Sequence, residues 1–251
     1  MAWTETARRD YARRGLRYAS DCTDDEWAII APLLQPMGKV DRPREHNPRK
    51  LWNAIQYIAT TGCQWAQLSK EFTTVQHHFY GIRDNGLLDL INEMLVAVTR
   101  LAEGRKVEPT AAGGPRGYDA GKKIKGRKRH IVTDMSGDML EGIVHGGDVQ
   151  DRDGAPDLIE RTCQTYPTVA KLFADGGYAG EKLAIEIVKR SDQAKGFVIL
   201  SRRWIVERTF AWLNRCRRLA KDWETSIASS EAWIFISSIR RMTRRIAKLE
   251  F

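Results

Sequence analysis

The sequence predicts an α/β protein in two parts, an all-helical segment followed by a domain that mixes strands and helices. Three observations predict this. Apolar residues recur at helical spacing up to about residue 102. Residues 104–129 then turn rich in Gly, Pro and Lys without periodicity. Beyond them, His130–Asp134 and Leu140–His145 read as two strands joined by a Ser136-Gly137-Asp138 turn.

The elements follow in order. Residues 1–20 are a loose basic arm carrying Arg8, Arg9, Arg13, Arg14 and Arg17. Thr23 and Glu26 form a capping-box pattern, after which Trp27, Ile30, Leu33 and Leu34 share a helical face. Asn47 and Pro48 give the cap-then-proline start of a second helix, lined by Leu51, Ile55 and Ile58 up to Gly62. A short turn at 64–70, a helix capped by Thr74 and ended by Gly86, and a helix over 87–102 complete the first part. The 64–84 unit has the spacing of a helix-turn-helix, presenting Gln76, His77, His78, Tyr80 and Arg83 outward. In the second part a helix at 153–165, strands at 169–174 and 184–189, and helices at 201–220 and 229–249 are expected. The sequence thus divides into an arm (1–20), a helical domain (21–103) and an α/β domain (104–251).

Charge narrows the partner. Lys and Arg number 41 against 32 Asp and Glu, a net charge of +9, which suits a nucleic-acid partner better than a small metabolite. The excess is clustered: seven cations and one acid at 116–129, seven and one at 202–221, five and none at 240–248. Any one run also fits a plain solvated face. Cys22, Cys63, Cys163 and Cys216 are scattered, which excludes a C-x-x-C zinc site and fits reduced thiols. No stretch reaches the ~18 apolar residues of a membrane span, and no apolar core follows the basic arm as in a signal peptide. A cytoplasmic, nucleoid-associated protein is expected.

Two lone carboxylates stand out. Asp175 ends the apolar run 169–174 and precedes Gly176 and Gly177; Glu207 interrupts a basic helical stretch. Side chains just past a strand's C-terminal edge meet where α/β sheets bind ligands. A helix packed over that edge can aim Glu207 at Asp175, with Arg203 and Arg208 close enough to clamp phosphate. Two such carboxylates can hold Mg²⁺ against a phosphodiester. Each also has a plainer reading, a capping Asp before a glycine turn and a salt-bridged surface Glu.

On these segments the chain resembles bacterial insertion-sequence transposases of the DDE superfamily, of the insertion-sequence-five type. The matching stretches are 18–27, 61–65, 113–130, 148–155, 174–178 and 202–218, in order along residues 18–249. The resemblance implies an RNase H-like catalytic domain behind a helical domain that binds terminal inverted repeats. It implies two Mg²⁺ (or Mn²⁺) ions held by two Asp and one Glu, which activate water and then a DNA 3′-hydroxyl. The second Asp falls on Asp175, the Glu on Glu207, and an assisting Arg on Arg203. Expected DNA contacts are Lys122, Lys123, Lys125, Arg127, Lys128, Arg129, Arg208, Arg215, Arg217 and Arg218. Double-stranded DNA, both element ends and target, is the expected partner, with a homodimer or larger assembly on it.

The chain departs from the pattern in two places. A Tyr and a Lys that flank the Glu motif in some relatives are Leu200 and Asn214 here. More seriously, look-alikes carry their first metal-binding Asp in an apolar-apolar-Asp-Ser-Gln-Ser-Val strand just before Gly-Gly-Pro-Arg-Gly-Tyr. Here Pro109–Ala112 runs straight into Gly113, so about one strand with its turn is expected to be missing. Asp119 and Asp134 are the candidate substitutes. The expected function is therefore transposition impaired by loss of the first Asp. Its alternatives are a catalytically dead DNA-binding derivative and a nuclease or RNA-binding protein on a similar frame.

Overall fold

The computed structural model describes residues 13, 15–34, 47–68, 72, 74–113, 127–174, 186–187 and 204–249. Helix α1 (Asp24–Ile30) starts from the full capping box: Thr23 accepts from the Glu26 amide, and the Glu26 carboxylate accepts from the Thr23 amide. Helix α2 (Pro48–Thr61) is capped by Asn47, and Gly62 ends it in the left-handed region at φ 71°. A single 3₁₀ turn at Trp65–Gln67 leads to α3 (Val75–Asp84) and α4 (Leu87–Ala102). Thr74 precedes α3 but its side chain makes no capping bond. The arm is not wholly loose: Arg13 binds Glu26 and the Asp21 carbonyl, and the Tyr18 ring meets Tyr57 edge-on at 5.0 Å.

The sheet has five strands in the order β3-β2-β1-β4-β5. They are β1 (Ala111–Gly113), β2 (Arg127–Asp134), β3 (Met139–Gly146), β4 (Lys171–Ala174) and β5 (Glu186–Ile187). β1 runs antiparallel to β2 and parallel to β4, and β4 runs parallel to β5. Where the sequence predicts the loss of about one strand with its turn, the three residues Ala111–Gly113 occupy the central place, bonded on both sides. Ladder bonds use only main-chain groups, so three small residues suffice to join β2 to β4. Helix α5 (Asp151–Thr165) links β3 to β4 and packs on β2 and β3.

Helices α6 (Trp204–Leu213) and α7 (Ile227–Ile246) follow, separated by a 3₁₀ turn at Arg217–Leu219. The single helix expected over 201–220 is thus shorter. α7 packs on α4 and β3, and on α1, α2, α3 and α6 as well. Its Trp233 stacks on Phe79 of α3 at 4.6 Å. Buried residues of the helical segment and the sheet form one continuous cluster through this helix. The apolar stripe read along α4 divides in two: Leu88, Ile91 and Leu95 are buried, whereas Leu90, Met94, Val98 and Leu101 face outward.

Candidate functional site

Helix α6 buries Ile205, Val206, Thr209 and Leu213, which recur at helical spacing. That choice of face leaves Glu207 exposed. The helix docks on the β2–β3 turn: Arg208 Nη2 donates to the Ser136 carbonyl at 2.9 Å and Thr209 Oγ1 to the Gly137 carbonyl at 2.9 Å. Gly137 adopts φ +86°, and a Cβ there would lie 2.8 Å from Thr209 Oγ1, so the close approach requires glycine. The Arg208 guanidinium lies over two indoles of its own helix, Trp204 at 4.1 Å and Trp212 at 4.7 Å. Arg241 of α7 lies over Trp212 at 4.0 Å. Burial, and then the neighbouring Arg241, draw the Arg208 guanidinium below its ordinary pKa.

Register orients this region against β4. Ala112 pairs with both Asp134 and Leu172. β2 continues past Asp134 into the turn that holds α6, whereas β4, running the opposite way, leaves Ala112 towards Ala174. β4 therefore ends away from the turn on which Arg208 and Thr209 dock. Asp175, Arg203, Lys122, Lys123, Lys125 and Asp119 lie outside the described residues, as do Leu200 and the motif's Arg202. The expected meeting of Asp175 with Glu207 falls there too.

Among the described cations, several bond to the protein itself, and four of these are among the expected DNA contacts. Arg127 Nη1 donates to the Glu224 and Ser226 carbonyls at 2.9 and 3.1 Å and pairs with Asp222 at 3.2 Å. Lys128 is buried, its Nζ on the Val149 carbonyl at 2.7 Å and on Asp151 at 3.2 Å. Arg129 donates to the Leu219 carbonyl at 2.6 Å. Arg218 is buried between Glu224 at 2.6 Å and the Cys63 carbonyl at 2.9 Å. The physical reason is common to all four: these groups satisfy carbonyls and acids of the protein's own loops. Arg215 and Arg217 remain exposed.

Asp134 is fully buried and accepts from Arg100 at 2.6 Å and from Arg105, and its other oxygen caps the turn amides of Ser136 and Asp138. It is a charge-paired residue that also caps the hairpin turn. Asp138 is likewise held by Arg241 at 2.7 Å and Arg245 at 3.0 Å. Among the described residues no three His, Cys, Asp or Glu come together as a metal site, and strand β1 is Ala-Ala-Gly. Of the two acids on which the resemblance places metal ligands, Glu207 is the one among the described residues. On α3, Gln76 and His77 are exposed, but Arg83 is tied to Asp84 and to Ser229 of α7.

The sequence reading missed Trp204, Trp212 and Arg241. The signal was available for the first two, since Trp204, Arg208 and Trp212 repeat every four residues and so share one helical stripe.

Known proteins match both segments. Residues 22–92 match a family described as "Putative transposase of IS4/5 family". Residues 102–188 and 182–240 match the transposase DDE domain, which therefore covers the whole described sheet and α6. A relative named "Putative transposase for insertion sequence element IS402", from Burkholderia cepacia, is 35% identical over 111 residues, 38% of this chain and 52% of its own length. The chain thus spans about half the length of that relative. No solved structure matches. No described helix is long and apolar enough to cross a membrane. The DDE match over more than half of the chain, on a five-stranded sheet with α6 docked at its hairpin, shows that this chain belongs to the DDE transposase family of insertion sequences.

Proposed function

We propose that the chain acts on DNA as an insertion-element transposase whose strand cleavage and transfer are impaired. In this reading the helical segment 21–103 binds the element's terminal inverted repeats and 104–251 is the RNase H-like domain. Glu207, with Asp175, is the remaining ligand pair for Mg²⁺ (or Mn²⁺), a pairing that requires Glu207 to reach from the docked helix towards the end where β4 finishes, and Arg203 assists. One observation carries the impairment: the central strand, Ala111–Gly113, bears no carboxylate. Its neighbour Asp134 is already neutralised by Arg100 and Arg105. A divalent ion held by two carboxylates in place of three has lost a hard oxygen donor and with it affinity.

The same observation favours a second reading, a transposase-derived protein that grips DNA without cutting it. One experiment separates them. Purified chain is incubated with supercoiled plasmid carrying the element's ends, in Mg²⁺ or Mn²⁺, and nicking is scored beside a gel-shift on the same DNA. Binding with slow nicking supports the impaired transposase, binding with none the silent derivative. Preference for structured RNA over terminal-repeat DNA in competition overturns both. Replacing the metal with Fe²⁺ and mapping peptide cleavage tests the ligand pair: cuts near both 175 and 207 support it, and cuts near neither remove it.

A further inference from the structure

Between α6 and the C-terminal half of α7 lies a cavity of about 740 Å³, floored by Thr60 and by Met135 and Ser136 of the hairpin turn. One wall is α6 and the residues just after it, with Trp204, Trp212, Arg208 and Arg215. The other is α7 with its continuation, bringing Arg240, Arg241, Arg244, Arg245 and Lys248. No Asp or Glu is among the described lining residues. We propose that this groove seats the phosphodiester backbone of a nucleic-acid strand on its stacked guanidinium groups. The assignment rests on the DNA reading above and names the surface that carries it.

Three features favour phosphate over other occupants. First, Arg208 lies over Trp204 and Trp212, and Arg241 over Trp212. A guanidinium that lies over an indole keeps its in-plane N–H donors off the ring, and such donors can fork onto phosphate oxygens. The same stacking occupies indole faces that a base would otherwise use. Second, the positive charge is incompletely answered. Arg208 and Arg240 are held by neutral oxygens, the Ser136 carbonyl and the Thr60 hydroxyl. Asp138, Glu103 and Glu26 do reach Arg241, Arg245 and Arg244, but the first two also serve Arg105 and the third serves Arg13. Burial, followed by the nearby Arg240 and Arg13, brings the Arg244 guanidinium down to about 10 against the pull of Glu26. Third, the cations of α7 and its continuation run from 240 to 248, about 12 Å at ~1.5 Å per residue. A strand carries one phosphate per ~3.4 Å of duplex axis, so about three successive phosphates span that row.

Cations in the last turns of a helix also answer its dipole. That accounts for Arg244, Arg245 and Lys248; Arg208 and Arg215 face them from the opposite wall.

The test uses the full chain with a fluorescently labelled duplex of arbitrary sequence and a labelled abasic deoxyribose-phosphate strand, followed by anisotropy across a salt series. The double variant Arg240→Ala, Lys248→Ala is expected to bind the duplex at least ~10-fold more weakly, whatever its sequence. Its salt slope should fall by about two, one per lost phosphate contact. The abasic strand should show the same loss. The pair Arg240→Lys, Lys248→Arg keeps the charges and should restore binding, and equal melting temperatures by circular dichroism show that all variants fold. An unchanged slope in the alanine variant, or an abasic strand that does not bind while a base-bearing one does, overturns the groove assignment alone. Failure of the unaltered chain to bind any of these strands overturns the DNA reading itself.

Discussion

Arg100, in the last turn of α4, donates to Asp134, at the end of β2, across 2.6 Å with both side chains shielded from water. The bond joins the helical segment to the sheet. Arg100 also donates to the Lys106 and Glu108 carbonyls, at 2.8 and 3.3 Å, and so fixes the path of the chain into β1.

Removing one partner of such a pair strands a buried charge, which typically costs ~3–5 kcal/mol. Arg100→Leu is therefore expected to lower stability by about that amount in urea titration. Asp134→Asn should destabilise as well, equally with and without Mg²⁺. A metal-dependent effect of Asp134→Asn would return that residue to the list of ligands.

Two buried groups set opposite pH dependences. Burial, and then the adjacent His145, push His130 down to about 4, so it folds as the neutral ring. Its contribution is present above its unfolded pKa near ~6.5 and is lost as pH falls towards about 4. Burial pushes the Glu141 carboxyl up to about 7, against the bond it accepts from the Gly142 amide. That contribution is complete below the unfolded value near ~4.3 and is lost as pH rises through about 7. Glu141→Gln should raise the melting temperature at pH 8 and leave it nearly unchanged at pH 4. An equal shift at both values would show that Glu141 is not protonated on folding.

Arg218 and Glu207 separate structure from chemistry. Arg218→Ala breaks a buried pair with Glu224 and frees the Cys63 carbonyl, so it should lower the melting temperature by several degrees and leave the salt slope of DNA binding intact. Glu207→Gln changes an exposed side chain, and it should keep both stability and DNA affinity while removing any metal-dependent nicking. Loss of binding on that change would make Glu207 a pairing residue.

Gly137→Ala forces a left-handed backbone on alanine and drives its Cβ against Thr209 Oγ1 at 2.8 Å. Strain at such a residue costs ~1–3 kcal/mol, and the contact adds to it. Chemical denaturation should therefore show a loss above 1 kcal/mol. A neutral result would mean that α6 can lift off the hairpin freely.

What was legible in the sequence was local. The Thr23–Glu26 box, the Asn47-Pro48 start and the hairpin around Gly137 each depend on residues within a few positions of one another. Strand β1 was not legible, because Ala-Ala-Gly has no periodicity and becomes a strand only between two neighbours. The inward cations were not legible either. Arg127 finds the Glu224 carbonyl 97 residues away and Arg218 finds Cys63 at 155, and no spacing rule announces such partners. Of α6, the sequence singled out the lone acid Glu207, and the structure added the indole–guanidinium ladder of Trp204, Arg208, Trp212 and Arg241.

Helix α7 closes both halves of the molecule, and it leaves the ribosome after every other described helix and strand. Neither the α1–α4 segment nor the β2–β3 hairpin can finish excluding water until residues 227–246 have emerged. During synthesis both must wait with apolar surface uncovered. Nascent chains stalled before residue 227 should therefore be open to protease along their length, and extension through 246 should bring protection to both halves together.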